Sequence, residues 1–319
     1  MKRTRICDLF NIEYPIIQGG MGWMASAELV AAVSNAGGLG ILSPTAGARP
    51  DQDWVENLRN QLKMTKDFTD KPFGVNIGLE MPMHKELIRT CLEEGVGIIT
   101  TAAGSPAAYT KYLREQGVKV MHPVFSVRHA QRGEAEELDA VIASGVDAGG
   151  LLSRDEIPTL VLVPQVVDSV KIPVIAAGGI MDARGVVAAL ALGAEAVQMG
   201  TRFIATHECI AHDNYKQAII KARDTDTAIT GKRGIIPARC IKNKLALEIL
   251  EMDDKGTSYE EVMGFIGSGR LRMAALDGDM EGGSLLCGSG AGMVNEIVST
   301  AEVIQGIVEG YDEIVKTLT

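Results

Sequence analysis

Eight short apolar runs recur along the first two thirds of the chain, and the stretches between them have the composition of helices. The runs are Pro15–Gly19, Gly38–Leu42, Phe73–Ile77, Gly97–Thr101, Lys119–Val124, Ala140–Gly145, Pro173–Gly179 and Ala196–Thr201. Segments rich in Ala, Leu, Glu and Lys separate them, among them Ser26–Ala36, Trp54–Met64, His84–Glu94 and Ala183–Leu192. Strands that alternate with helices imply parallel βαβ units. Eight such units match an α/β fold of the closed (β/α)8 TIM barrel type. An open doubly wound sheet is the alternative, and the regularity of the units favours closure.

Length fits this reading. A single barrel commonly takes about 250 residues, and the chain has 319, of which 46% are hydrophobic. The surplus lies after Thr201, where the rhythm changes. Residues 207–277 read as helical, with Tyr215–Arg223, Asn243–Met252 and Ser258–Ile266 as candidates and no good strand. The expected organisation is therefore a barrel of residues 1–206 and 278–319 with a small, mostly helical insert or lid at 207–277. Glycines at Gly282-Gly283 and through Gly288-Ser289-Gly290-Ala291-Gly292 mark a loop, and Thr300–Leu318 reads as the last helix.

Composition excludes several classes. A net charge of −10 argues against nucleic acid as a main partner, because binding its phosphates needs concentrated Lys and Arg. Small phosphorylated ligands remain open, since backbone N–H groups can hold them. Cys7, Cys91, Cys209, Cys240 and Cys287 are odd in number and form no C-x-x-C pair, so free buried thiols are expected. No ligand cluster for a metal stands out. The polar residues Asp8, Asn11 and Glu13 follow the basic N-terminus, and no run of about 18 apolar residues exists to span a membrane. The expectation is a soluble cytoplasmic protein without a signal peptide.

Several runs end in Gly or polar residues: Gln18-Gly19-Gly20, Asn76, Thr100-Thr101, His122, Gly178-Gly179 and Gly200-Thr201. In a barrel these strand tips converge on one face, where active sites lie. Loops after the seventh and eighth strands frequently bind phosphate there. Gly178, Gly179, Gly200 and the hydroxyl of Thr201 suit that task, because glycines let backbone amides approach an anion closely. The alternative is that these glycines only serve tight turns. At the first tip, Gly20-Met21-Gly22 would let the backbone and a polarizable thioether approach a flat ligand, or would form a turn over a core Met. Asn76 could bond a ring edge or cap its loop.

These pieces carry a resemblance. Pro15-Ile16-Ile17-Gln18-Gly19-Gly20-Met21, Lys71-Pro72-Phe73-Gly74-Val75-Asn76, Pro173 through Ile180 and Gly200-Thr201-Arg202-Phe203 resemble the nitronate monooxygenase and FMN-dependent enoyl-acyl-carrier-protein reductase family. His212-Asp213-Asn214-Tyr215-Lys216 and Ile241-Lys242-Asn243 are closer to the reductase branch. The resemblance implies a flavoprotein oxidoreductase with FMN as cofactor and NADH or NADPH as co-substrate. Gly178, Gly179, Gly200 and Thr201 would hold the FMN phosphate. Gly20, Met21, Gly22 and Asn76 would surround the ring, and Ala177, Asp147 and Gly149 would line it. The implied partners are a small-molecule or acyl-thioester substrate and an acyl carrier protein, with a homodimer as the candidate assembly.

One position departs from the family pattern. An acidic residue, a small residue, two glycines and a His are expected after the sixth strand; here Asp147-Ala148-Gly149-Gly150 is followed by Leu151. A positioned acid–base group is typically worth about 10²–10⁴-fold in rate. Its loss weakens nitroalkane deprotonation most and flavin hydride transfer least. His122, at the fifth strand tip, is the substitute candidate if it faces the same cavity, with a structural hydrogen bond as the alternative. Three functions follow: an enoyl reductase type of hydride transfer to an activated C=C, a nitronate monooxygenase acting on nitronates already ionised, or a flavin-binding protein with little turnover.

Overall fold

The computed structural model describes residues 1–232 and 236–318. Its strands are β1 (Ile16–Gln18), β2 (Leu39–Leu42), β3 (Phe73–Gly78), β4 (Ile98–Ala102), β5 (Lys119–Val124), β6 (Ala140–Ser144), the two-residue β7 (Gly150–Leu151), β8 (Val174–Ala177), β9 (Ala196–Met199), β10 (Thr227–Thr230) and β11 (Ala238–Ile241). Eight of them close a barrel in the order β1-β2-β3-β4-β5-β6-β8-β9. Every neighbouring pair is parallel. These eight coincide with the eight apolar runs to within a residue or two at each end.

Strand side chains alternate between two cores, as a period of two requires. Ile17, Leu39, Ile41, Ile98, Met121, Ile142 and Ile175 pack inside the barrel. The N-terminal helix Arg5–Phe10 adds Ile6, Cys7 and Phe10 to this inner cluster, beside strand starts such as Leu39 and Ala140. It therefore closes the end of the barrel opposite the strand tips. Ile16, Val75, Ile77, Ile99, Val120, Val141, Val174 and Val197 face outward into the layer of helices. Thr300–Leu318 is a helix, as expected, and packs on Ala183–Ala191 so closely that a Cβ on Gly310 would stand 2.8 Å from Ala183 Cβ.

The region after β9 is mostly helical, with helices Asp213–Lys221, Lys244–Lys255, Tyr259–Ile266 and Arg270–Ala275. The expectation of no strand there is corrected. β10 and β11 form an antiparallel pair, and β11 also pairs with β7, placing Ala238 opposite Leu151. Both strands are only four residues long, too short for a clear alternation, and the second partner of β11 is the distant two-residue β7. Asn243 fixes the start of Lys244–Lys255: its Oδ1 accepts from Ala246 N, and its Nδ2 donates to Met280 O and Gly283 O. Among the described residues no helix is long and apolar enough to cross a membrane.

Candidate active site

Inner-face parity selects the residues at the barrel mouth. Ile17, Ile142, Ile175 and Ala196 point inward, so Gly19, Ser144, Ala177 and Gln198, two positions further on, point the same way. All four line a cavity of about 340 Å³ at the C-terminal ends of the strands. Asn76 and Thr100 share this inner face and are register partners. Thr100 Oγ1 is buried without a hydrogen-bond partner. The carboxamides of Asn76 and Gln198 likewise bond to no other described residue.

The two glycine tips form the cavity's polar side. Gly178 and Gly179 have φ of 107° and 70°, conformations that favour glycine. Gly178 continues the β8–β9 ladder beside Gln198, the backbone amides of Gly179, Gly200 and Thr201 donate to no acceptor among the described residues, and all four residues line the cavity. Thr201 Oγ1 accepts from Gly288 N at 2.9 Å, which leaves its own hydrogen free to donate. Gly20, Met21 and Gly22, after the neighbouring strand β1, also line the cavity. A Cβ on Gly20 would stand 2.4 Å from Asn76 Cβ, so glycine here is required by the side chain beneath it. Met21 Sδ lies 3.6 Å from where a Cβ on Gly200 would be. Gly149 lines the same space, but its lack of a Cβ has another cause: Cys287 C and Gly288 N would be 2.5 and 2.6 Å away.

Three expected site residues are placed differently. His122 shares parity with Val120 and Val124, which belong to the helix-facing cluster, so its ring points away from the barrel interior and lines no part of the cavity. Its Nδ1 bonds Thr101 Oγ1 at 2.8 Å. Burial pushes its pKa down to about 4, helped by the nearby His129 and opposed by the bond to Thr101. Asp147 is also absent from the cavity wall; its Oδ2 accepts from Thr159 N at 2.7 Å. Asn76 lies beneath Gly20 rather than on the open wall.

Other residues complete the wall without having been singled out in sequence. Gln198 and Ser144 carried a usable signal, a polar residue at inner parity in an apolar run. Gly288, Leu271 and Leu286 carried none, since they arrive from distant segments. Leu271 comes from the helix Arg270–Ala275, its Cδ2 3.5 Å from a Cβ built on Gly22. Leu151 lines the mouth with its side chain 56% exposed and its backbone paired to β11. No charged or titratable side chain is among the described residues that line this cavity. The five cysteines are free and buried, and burial pushes Cys91 and Cys287 up to about 12.

The fold and site are a closed (β/α)8 barrel whose mouth combines two glycine tips with a neutral, Met- and Leu-lined wall, and comparison with known proteins makes the chain an oxidoreductase. The nitronate monooxygenase family profile matches residues 3–90 and 82–310, and the chain belongs to that family. It is similar to a probable nitronate monooxygenase of Staphylococcus saprophyticus, 33% identical over 98% of each chain. It also resembles the Mycobacterium tuberculosis (3aS,4S,5R,7aS)-5-hydroxy-7a-methyl-1-oxo-octahydro-1H-indene-4-carboxyl-CoA dehydrogenase, 31% identical over 96% of this chain and 95% of the other. Among solved structures, FabK of Thermotoga maritima has a TM-score of 0.93 and 44% identity over 100% of this chain and 99% of its own. The nitroalkane oxidase of Streptomyces ansochromogenes has a TM-score of 0.84 and 27% identity over 98% and 99%.

Proposed function

We propose that this protein is an FMN-dependent NAD(P)H oxidoreductase of the enoyl-acyl-carrier-protein reductase type, reducing the electron-poor C=C of an acyl thioester. The observation that carries the reading is the neutral cavity: among the described residues its wall offers neither a base to deprotonate a nitroalkane nor a cation to hold an anionic substrate. The likeness to FabK, an enoyl-acyl-carrier-protein reductase, over the whole chain supports it.

The residues present fit FMN. Gly179, Gly200 and Thr201 offer open amides and Thr201 a hydroxyl to a phosphate, with Gly178 shaping the turn beside them. Gln198 offers its carboxamide to a ring edge from the cavity wall, Asn76 supports Gly20 from beneath, and Gly20, Met21, Gly22, Gly149 and Ala177 line the space for a flat ring. When bound, FMN supplies two-electron transfer between the nicotinamide and the substrate carbon. The chain's own part is to hold and orient. Leu271 and Leu286 add apolar surface to the cavity wall. Leu151 provides no proton, so the proton reaches the substrate from solvent at the lip. Residues 207–277 act as the lid over the barrel of 1–206 and 278–319. The same reading takes acyl carrier protein as carrier of the thioester, a homodimer as the assembly and the cytoplasm as the compartment.

Nitronate oxidation is the second reading, favoured by the family match and by the fact that an ionised nitronate needs no base. Anaerobic titration with NADH and NADPH, followed by an enoyl thioester, separates the two. We expect a nicotinamide to bleach the flavin absorbance and the thioester to restore it. If neither nicotinamide bleaches it while propyl nitronate drives oxygen uptake, the reductase reading is lost. Bleaching by neither and no uptake would leave a flavin-binding protein without turnover.

A further inference from the structure

Asp147 does not line the cavity, yet it touches the Gly178-Gly179 tip and the Gly288-Ser289 loop that reaches the other tip. Its carboxylate receives Thr159 N at 2.7 Å, the first amide of the helix Thr159–Val167, which has no other side-chain cap. Thr159 Oγ1 in turn donates to Ala177 O at 3.3 Å. A Cβ on Gly178 would stand 2.7 Å from that same Oγ1, and a Cβ on Gly179 would stand 3.1 Å from Asp147 Cβ. The β8 tip therefore rests directly on the Asp147–Thr159 pair. The main chain of Asp147 reaches the other tip. Its carbonyl accepts from Ser289 N at 3.0 Å and Ser289 Oγ at 3.3 Å. That places Gly288, whose N–H donates to Thr201 Oγ1 at 2.9 Å.

We infer that Asp147 is a positioning residue that sets the Gly178-Gly179 tip and, through Gly288, the Thr201 hydroxyl relative to each other, without touching the ligand. The carboxylate works as a hydrogen-bond acceptor for Thr159, and its negative charge has no role toward an anion. The claim rests on the reading of these tips as a phosphate site. Its structural half, that Asp147 orders the two segments, is independent of it.

The test compares Asp147→Ala, which removes the acceptor, with Asp147→Asn, which keeps an acceptor oxygen but not the charge. FMN affinity is read by quenching of flavin fluorescence on binding. Amide hydrogen exchange of residues 177–181 and 287–291 is read in the flavin-free protein, with the helix Asp213–Lys221 as internal control. Asp147→Ala is expected to weaken FMN about 10- to 100-fold, the scale of a lost hydrogen bond to a charged group, and to speed exchange in both segments. Asp147→Asn is expected to stay within about threefold of the parent on both readouts. If Asp147→Ala does not fold, Thr159→Pro removes the same amide donor at a first helical position that tolerates proline, and the same two changes are expected. Equal loss of affinity in the Ala and Asn variants would overturn the inference in favour of a direct role for the charge. Unchanged exchange and affinity in Asp147→Ala would overturn it outright. If the parent protein itself fails to bind FMN, the phosphate-site reading fails, while the exchange arm still decides whether Asp147 orders the segments.

Discussion

Gly149→Ala tests how tightly the cavity wall is held from behind. The new Cβ would meet Cys287 C at 2.5 Å, Gly288 N at 2.6 Å and Cys287 Cα at 2.7 Å. All three are main-chain atoms, so no side chain can swing aside. Reaching ordinary contact at 3.4 Å requires the strands of backbone to part by about 0.9 Å. Overpacking of this kind costs about 1–3 kcal/mol. A shift of Gly288 also strains its 2.9 Å bond to Thr201 Oγ1, whose full loss would add about 0.5–1.5 kcal/mol. We therefore expect about 2–4 kcal/mol of destabilisation, measured by urea unfolding, and a Tm lower by roughly 2 °C per kcal/mol. Gly306→Ala is the control, since Gly306 lies within the helix Thr300–Leu318 with nothing within 4 Å of its added Cβ. It should raise stability by about 0.5–1 kcal/mol. A Gly149→Ala protein as stable as its parent, or shifted in the same direction as Gly306→Ala, would refute the packing argument.

Two further outcomes follow from the site. Leu151→His puts an acid–base group back at a half-exposed position, so it should cost less than about 0.5 kcal/mol in stability. It should raise turnover of a neutral nitroalkane by at least about tenfold, with a pH dependence in the histidine range; unchanged, pH-independent turnover would count against a catalytic place at position 151. His122 concerns stability rather than turnover. Its pKa falls from 6.5 when unfolded to about 4 when folded, so the unfolded chain binds the extra proton between those values. Stability is full above pH 6.5 and is lost as pH falls toward 4, by up to about 3 kcal/mol. His122→Gln should flatten that loss in a pH series of urea unfolding curves and leave the pH profile of turnover unaltered. A changed turnover profile would return His122 to the chemistry.

Much of the fold was legible because it is written in short-range patterns. The eight barrel strands appear as apolar runs, and their glycine and polar tips mark the open end. Gly178, Gly179, Gly200 and Thr201 could be placed at the mouth from the order of the runs alone, and they do line the cavity. His122 shows where that reasoning stops. A tip residue can face either way, and one step of strand parity turned its ring to the helices. β11 shows another limit, since its two partners are the four-residue β10 and a two-residue strand 87 residues back (Ala238 opposite Leu151), and neither pairing stands out as a periodic run.

The sequence by itself thus determined the barrel, its cavity end and the absence of an acid–base group at position 151, all consequences of local period and residue type. Tertiary structure alone decided what surrounds those elements. Asp147 looked like a cavity residue along the chain, but its carboxylate turns to Thr159 N; Gly149 does line the cavity, and contact geometry adds that it lies against Cys287 and Gly288. Gly288 reaches Thr201 across 87 residues and Ser289 reaches Asp147 across 142. No window along a chain can register such pairs, because they exist only once the barrel has closed and brought its late loop over its early tips.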